Sequence, residues 1–129
     1  MTKIIRKTPK TVSQPVGKYS HITKIPAGMD TYVLSGQIGI NRKGEMPADF
    51  NDEIKQLFLN IRALLATENL VASNITKVNI WSVNEIDWEV FDSEWNDYFQ
   101  HDYPSMTIAY VKALGLPEIR IEIDIWASK

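Results

Sequence analysis

The chain has 129 residues, no cysteine, and 14 basic against 16 acidic side chains, for a formal net charge of −2. These figures exclude disulfides, thiol catalysis and thiolate metal sites, and a pI near 5.6 argues against the broad basic surface of non-specific nucleic-acid binding. With 44% hydrophobic and 23% charged residues, and no apolar run near the ~20 residues of a membrane span, the composition is that of one soluble domain with one core.

Lys3, Arg6, Lys7 and Lys10 open the chain, but no apolar stretch of signal-peptide length follows them. Residues 1–15 therefore read as a frayed tail, and the lack of cysteine fits a reducing compartment, with cytoplasm as the expected location. Residues 19–25 and 31–40 are rich in β-branched and aromatic side chains and are separated by Pro26, Ala27 and Gly28, which predicts a hairpin. A polar loop with Gly44 and Pro47 then runs to Asp49 and Asn51, either of which can cap the helix that follows. In that helix Ile54, Leu57, Phe58, Ile61, Leu64 and Leu65 fall on one stripe, while Asp52, Lys55, Asn60 and Arg62 face water.

Residues 75–83 alternate as a strand, and Asp87 starts a second helix with Trp88, Phe91, Trp95 and Tyr98 on one face. Two last strands, 105–113 and 119–127, are joined by a turn containing Gly115 and Pro117. The order ββαβαββ predicts an α+β fold, a two-layer sandwich of two helices on one face of a mostly antiparallel mixed sheet. Ile119, Ile121, Ile123 and Ile125 share the face toward the helices; Arg120, Glu122, Asp124 and Trp126 share the other. An uncovered face that mixes apolar and charged groups predicts self-association, with Trp126 as an interface anchor.

Several residues carry possible chemistry, each beside a plainer reading. Glu122 can shuttle a proton or position water at a cleft, or it can pair with Arg120 in an intersubunit salt bridge. Tyr19 can donate to a ligand or simply pack, and Gly36, just past Val33 and Leu34, can open the backbone to a ligand or mark a bulge. Asp92 reads as solvated surface, and Trp88 and Trp95, at helical spacing, read as core or interface packing. His21 and His101 have no second metal-type ligand at helical spacing, so no metal site is expected.

Certain short motifs follow one another in a telling order. Gly17, Lys18, Tyr19 and Ser20 come first, then Ser35, Gly36 and Gln37, then a helix and the strand Val78, Asn79, Ile80 and Trp81. A second helix ends in Trp95, Tyr98 and Phe99, followed by Tyr103 and Pro104 and finally Ile121, Glu122, Ile123 and Asp124. In this order the chain, from about Val16 to its end, resembles the RidA/YjgF family of enamine/imine deaminases, some of whose members carry ribonuclease or translation-inhibitor labels. The resemblance implies that residues 16–129 form one chorismate-mutase-like domain. It also implies a homotrimer closed around a central barrel, with three small-molecule pockets at the subunit junctions and no metal or organic cofactor.

By the same resemblance Glu122 holds the water that attacks an imine carbon, and Tyr19, Ser35 and Gly36 contact the ligand. Met106 stands where the family carries the arginine that grips the substrate carboxylate. A thioether donates no hydrogen bond, so that anchor is removed unless Arg120, Lys18 or Lys112 replaces it. A pocket with Met106 and Glu122 suits a neutral or cationic, partly apolar molecule. Three readings follow: hydrolysis of a non-standard imine or enamine, a non-catalytic metabolite-binding module, and, disfavoured by the acidic balance and the missing basic groove, a ribonuclease or translation inhibitor.

Overall fold

Asp49 and Asp87 set where the two helices begin. In a computed structural model, which describes residues 3–129, the Asp49 carboxylate accepts from the Asp52 N–H at 3.0 Å and opens α1, Phe50–Ala66. Asp87 accepts from the Glu89 and Val90 N–H groups and opens α2, Trp88–Phe99. Such a cap stabilises a helix by about 1 kcal/mol, because it satisfies an otherwise orphan donor.

The strands are β1 (Ile5–Lys7), β2 (Ile22–Lys24), β3 (Thr31–Val33), β4 (Ile75–Ser82), β5 (Ser105–Tyr110) and β6 (Ile121–Ser128). Four of them form one sheet in the order β3-β6-β4-β5, antiparallel except for the parallel β4–β5 pair that α2 connects. This is the expected α+β two-layer sandwich. Ile54, Leu57, Phe58, Ile61 and Leu65 of α1 and Phe91, Trp95 and Phe99 of α2 pack on Val78, Ile80, Ile121, Ile123 and Ile125 of the sheet. Full burial of each aliphatic member is worth about 1.5–3 kcal/mol. Leu64 falls off the stripe at 38% exposure, and in α2 Phe99 takes the core position, with Tyr98 half-buried beside it.

Two expectations for the first third of the chain need correction. Residues 22–24 do not form a hairpin with residues 31–33: β2 pairs antiparallel with β1, whereas β3 pairs with β6. The physical reason lies in β3, where Tyr32 and Leu34 pack against the core and the Leu34 N–H donates to the Ile125 carbonyl at 3.0 Å. Nor is the tail frayed at β1, which pairs with β2. Arg6 is buried to 7% side-chain exposure, donates to the Ile75 carbonyl at 2.7 Å and meets Asp102 at 3.1 Å. Residues 1–2 of the expected tail lie outside the described residues.

The face of the sheet away from the helices carries Trp81 beside Glu122, Asn79 beside Asp124, and Lys77 and Val33 beside Trp126. Val33 is 65% exposed there. Among the described residues, no helix is long and apolar enough to cross a membrane.

Candidate functional site

Trp88, Asp92 and Trp95 recur at helical spacing on α2 and therefore stand on one side of it. The segment before β2 folds over that side, bonded to α2 at one point and braced within itself at another. The Trp95 indole Nε1–H donates to the Lys18 carbonyl at 2.9 Å, and the Val16 N–H donates to the Tyr19 hydroxyl oxygen at 3.3 Å. The third wall is β5, where Met106 and Ile108 pair with Val78 and Ile80 and so face the helix layer. Together these elements enclose a cavity of about 340 Å³, within the size range of small-molecule sites. Tyr19 and Met106, predicted from sequence to contact a ligand, both line it, as do Lys18 and Asp92.

Asp92 is not the solvated surface residue expected from the sequence. Burial against the apolar wall pushes its carboxyl pKa above the ordinary value, and the nearby Lys18 ammonium offsets only part of that. Its i,i+4 spacing from Trp88 was the available signal. What that spacing does not reveal is the loop that covers this side of α2.

Ser35, Gly36 and Glu122 form a second group. Leu34 pairs with Ile125 and Gln37 with Ile123, which leaves two residues, Ser35 and Gly36, opposite Asp124 alone, so Ser35 and Gly36 form a bulge at the end of β3. The missing side chain at Gly36 is needed here. A Cβ at that position would lie 2.5 Å from the Glu122 Cδ and 2.7 Å from its Cγ, so the carboxyl end of Glu122 rests directly on the glycine. Asp124, the next acidic group along β6, is engaged by the Trp81 indole N–H at 3.3 Å. Among the described residues, the Glu122 carboxylate accepts no hydrogen bond and joins no ion pair.

The two groups lie on opposite sides of the sheet. Met106 is in register with Val78, whose β6 partner is Ile125 on the core side; Glu122 is in register with Trp81 on the uncovered side. A single chain does not bring them together.

Arg120 belongs to neither group. Its Nε donates to Glu53 Oε1 at 2.6 Å, its backbone N–H donates to Glu53 Oε2 at 3.0 Å, and its terminal nitrogens donate to the Ala48 and Pro47 carbonyls. Within one chain no salt bridge joins Arg120 to Glu122, and Arg120 does not line the cavity beside Met106. Lys112 is exposed and does not line the cavity, which leaves Lys18 as the cation within it. Among the described residues, no three histidine or carboxylate groups gather as a metal site would require.

Comparison with known proteins agrees with this fold. The profile of the family described as Endoribonuclease L-PSP matches residues 10–129. A 2-iminobutanoate/2-iminopropanoate deaminase of Dermatophagoides farinae is 33% identical over 113 residues, covering 86% of this chain and 85% of that one. A RutC family protein of Aquifex aeolicus is 33% identical over 126 residues, covering 95% and 97%. The crystal structure of YyfB from Yersinia pestis, a Rid-family protein of unknown function, superposes with a TM-score of 0.82 at 21% identity, covering 97% and 98%. With its fold, its ordered motifs and a family profile spanning nearly its whole length, the chain belongs to the RidA/YjgF family, also described as Endoribonuclease L-PSP.

Proposed function

We propose that this chain works in the cytoplasm as a homotrimer whose pockets form where the Tyr19–Met106 cavity of one copy meets the Ser35, Gly36 and Glu122 group of the next. The observation that carries this reading is the placement of the two groups on opposite faces of one sheet. A neighbouring copy seated on the uncovered face supplies what a single chain lacks, and it also hides Val33 and Trp126.

The reaction that fits is hydrolysis of an imine or its enamine tautomer: water adds to the C=N carbon, and the adduct releases ammonia and leaves a carbonyl. Glu122 holds the water, takes its proton as the C–O bond forms, and returns a proton to the departing nitrogen. Tyr19 and the Gly36 backbone orient the ligand. Met106 offers no donor, so a carboxylate at that point would lie against apolar surface at a cost of a few kcal/mol, roughly the penalty for a poorly compensated buried charge. Lys18, the cation that lines the cavity, already has the Asp92 carboxylate near it, so the substrate class this favours is an imine other than the standard 2-imino acids.

A second reading, a metabolite-binding module without turnover, is favoured by the cavity itself, which one chain builds without Glu122. Mixed assemblies test the shared pocket. Tyr19→Ala and Glu122→Ala each lose ammonia release when expressed alone, and co-expression regains about a quarter of it, since that share of junctions pairs two intact halves. No regain in mixed assemblies of confirmed composition would mean that the two groups do not share a pocket.

A further inference from the structure

The cavity beside α2 holds two charged side chains of opposite sign, and their settings differ. Asp92 is fixed on a helix one turn from Trp88 and is partly desolvated by the wall it faces. Lys18 sits on an irregular segment, with a long stem that lets its ammonium reach water. Of the other polar groups of the wall, the Trp95 indole N–H donates to the Lys18 carbonyl, and the Tyr19 oxygen accepts from the Val16 N–H, which leaves its O–H to donate. Among the described residues, the Asp92 carboxylate has no hydrogen-bond or ion-pair partner within contact distance. Around it stand Trp88, Phe91, Trp95 and Tyr19. The faces of aromatic rings attract a cation and disfavour an anion, and a carboxylate adds a charge-assisted acceptor.

Resting on the reading above for where the ligand sits, we propose that Asp92 makes this cavity a site for a small organic cation, an ammonium or protonated imine with an apolar body. The ammonium or iminium N–H donates to the Asp92 carboxylate, and the apolar body lies among the rings and the Met106 thioether. Asp92 is then the residue that sets the charge of the ligand, opposite to the charge an arginine at position 106 would select.

Three probes of one shape test this on the full-length protein: 2-phenylethylamine, 2-phenylethanol and 3-phenylpropanoate, titrated with tryptophan fluorescence as the readout. The amine should bind best, about tenfold tighter than the acid. Asp92→Asn should cost it about tenfold, Asp92→Glu should restore most of the loss, and Lys18→Met should strengthen amine binding by removing a like charge. Tightest binding by 3-phenylpropanoate, lost in Lys18→Met, would overturn the inference and leave the functional reading intact. Equal amine affinity in wild type and Asp92→Asn would also overturn it. Failure of all three probes to bind would overturn both the inference and the reading that this cavity holds the ligand.

Discussion

Arg120 holds Glu53 twice, through its guanidinium at 2.6 Å and through its own backbone N–H at 3.0 Å, and the Glu53 side chain is fully enclosed. A buried carboxylate held in this way depends on its partner, since removing the cation leaves the charge in a dry interior. Arg120→Met is expected to destabilise the fold by about 3–5 kcal/mol, read from urea unfolding, while Glu53→Leu/Arg120→Met recovers most of that. A loss under about 1 kcal/mol would show that the pair behaves like an exposed one.

At Gly36 the expected outcome is local. Gly36→Ala places a methyl group where the Glu122 carboxyl now rests, so Glu122 must turn away. The variant should keep its helical circular dichroism and lose the function assigned to Glu122, to the same degree as Glu122→Ala. Full activity in Gly36→Ala would separate Glu122 from that function.

How far sequence alone reached can be seen element by element. Helix caps, the stripe from Ile54 to Leu65 and the alternating isoleucines of β6 were legible, because capping and periodicity are local properties. Pairing is not local. The three-residue strands β2 and β3 each have more than one possible neighbour, and the choice was made by β1, whose Arg6 reaches the Ile75 carbonyl, and by β6, about ninety residues downstream of β3. Tyr19 and Met106, which line the cavity, are singled out by the family resemblance and not by any local pattern. Asp92 was missed because helical spacing locates a residue on a face without showing what folds over it. The pairing of the Arg120 guanidinium with Glu53 is not legible in the sequence, because strand alternation carries no information about α1.

Asp92 gives a pH dependence with a definite sign. Its folded-state pKa is raised, chiefly by burial and against the pull of Lys18, so ionising it costs the folded state. The stability tied to the protonated form is fully present below the unfolded-state pKa and is lost as pH rises through the raised folded value. Asp92→Asn stays neutral throughout. Its Tm should therefore exceed that of the wild type at pH 7, and the gap should close as pH falls below the ordinary carboxyl pKa. A gap independent of pH would assign the effect to packing rather than charge.

The most direct measurement is the release of carbonyl product from freshly generated 2-iminobutanoate and from the matching imine without its carboxylate, for the wild type, Met106→Arg and Glu122→Ala. The account predicts that the wild type favours the imine lacking the carboxylate. Met106→Arg should gain on 2-iminobutanoate by about tenfold or more, the worth of a charge-assisted pair, and Glu122→Ala should be silent on both. Wild-type preference for 2-iminobutanoate, unchanged in Met106→Arg, or undiminished turnover by Glu122→Ala, would contradict it.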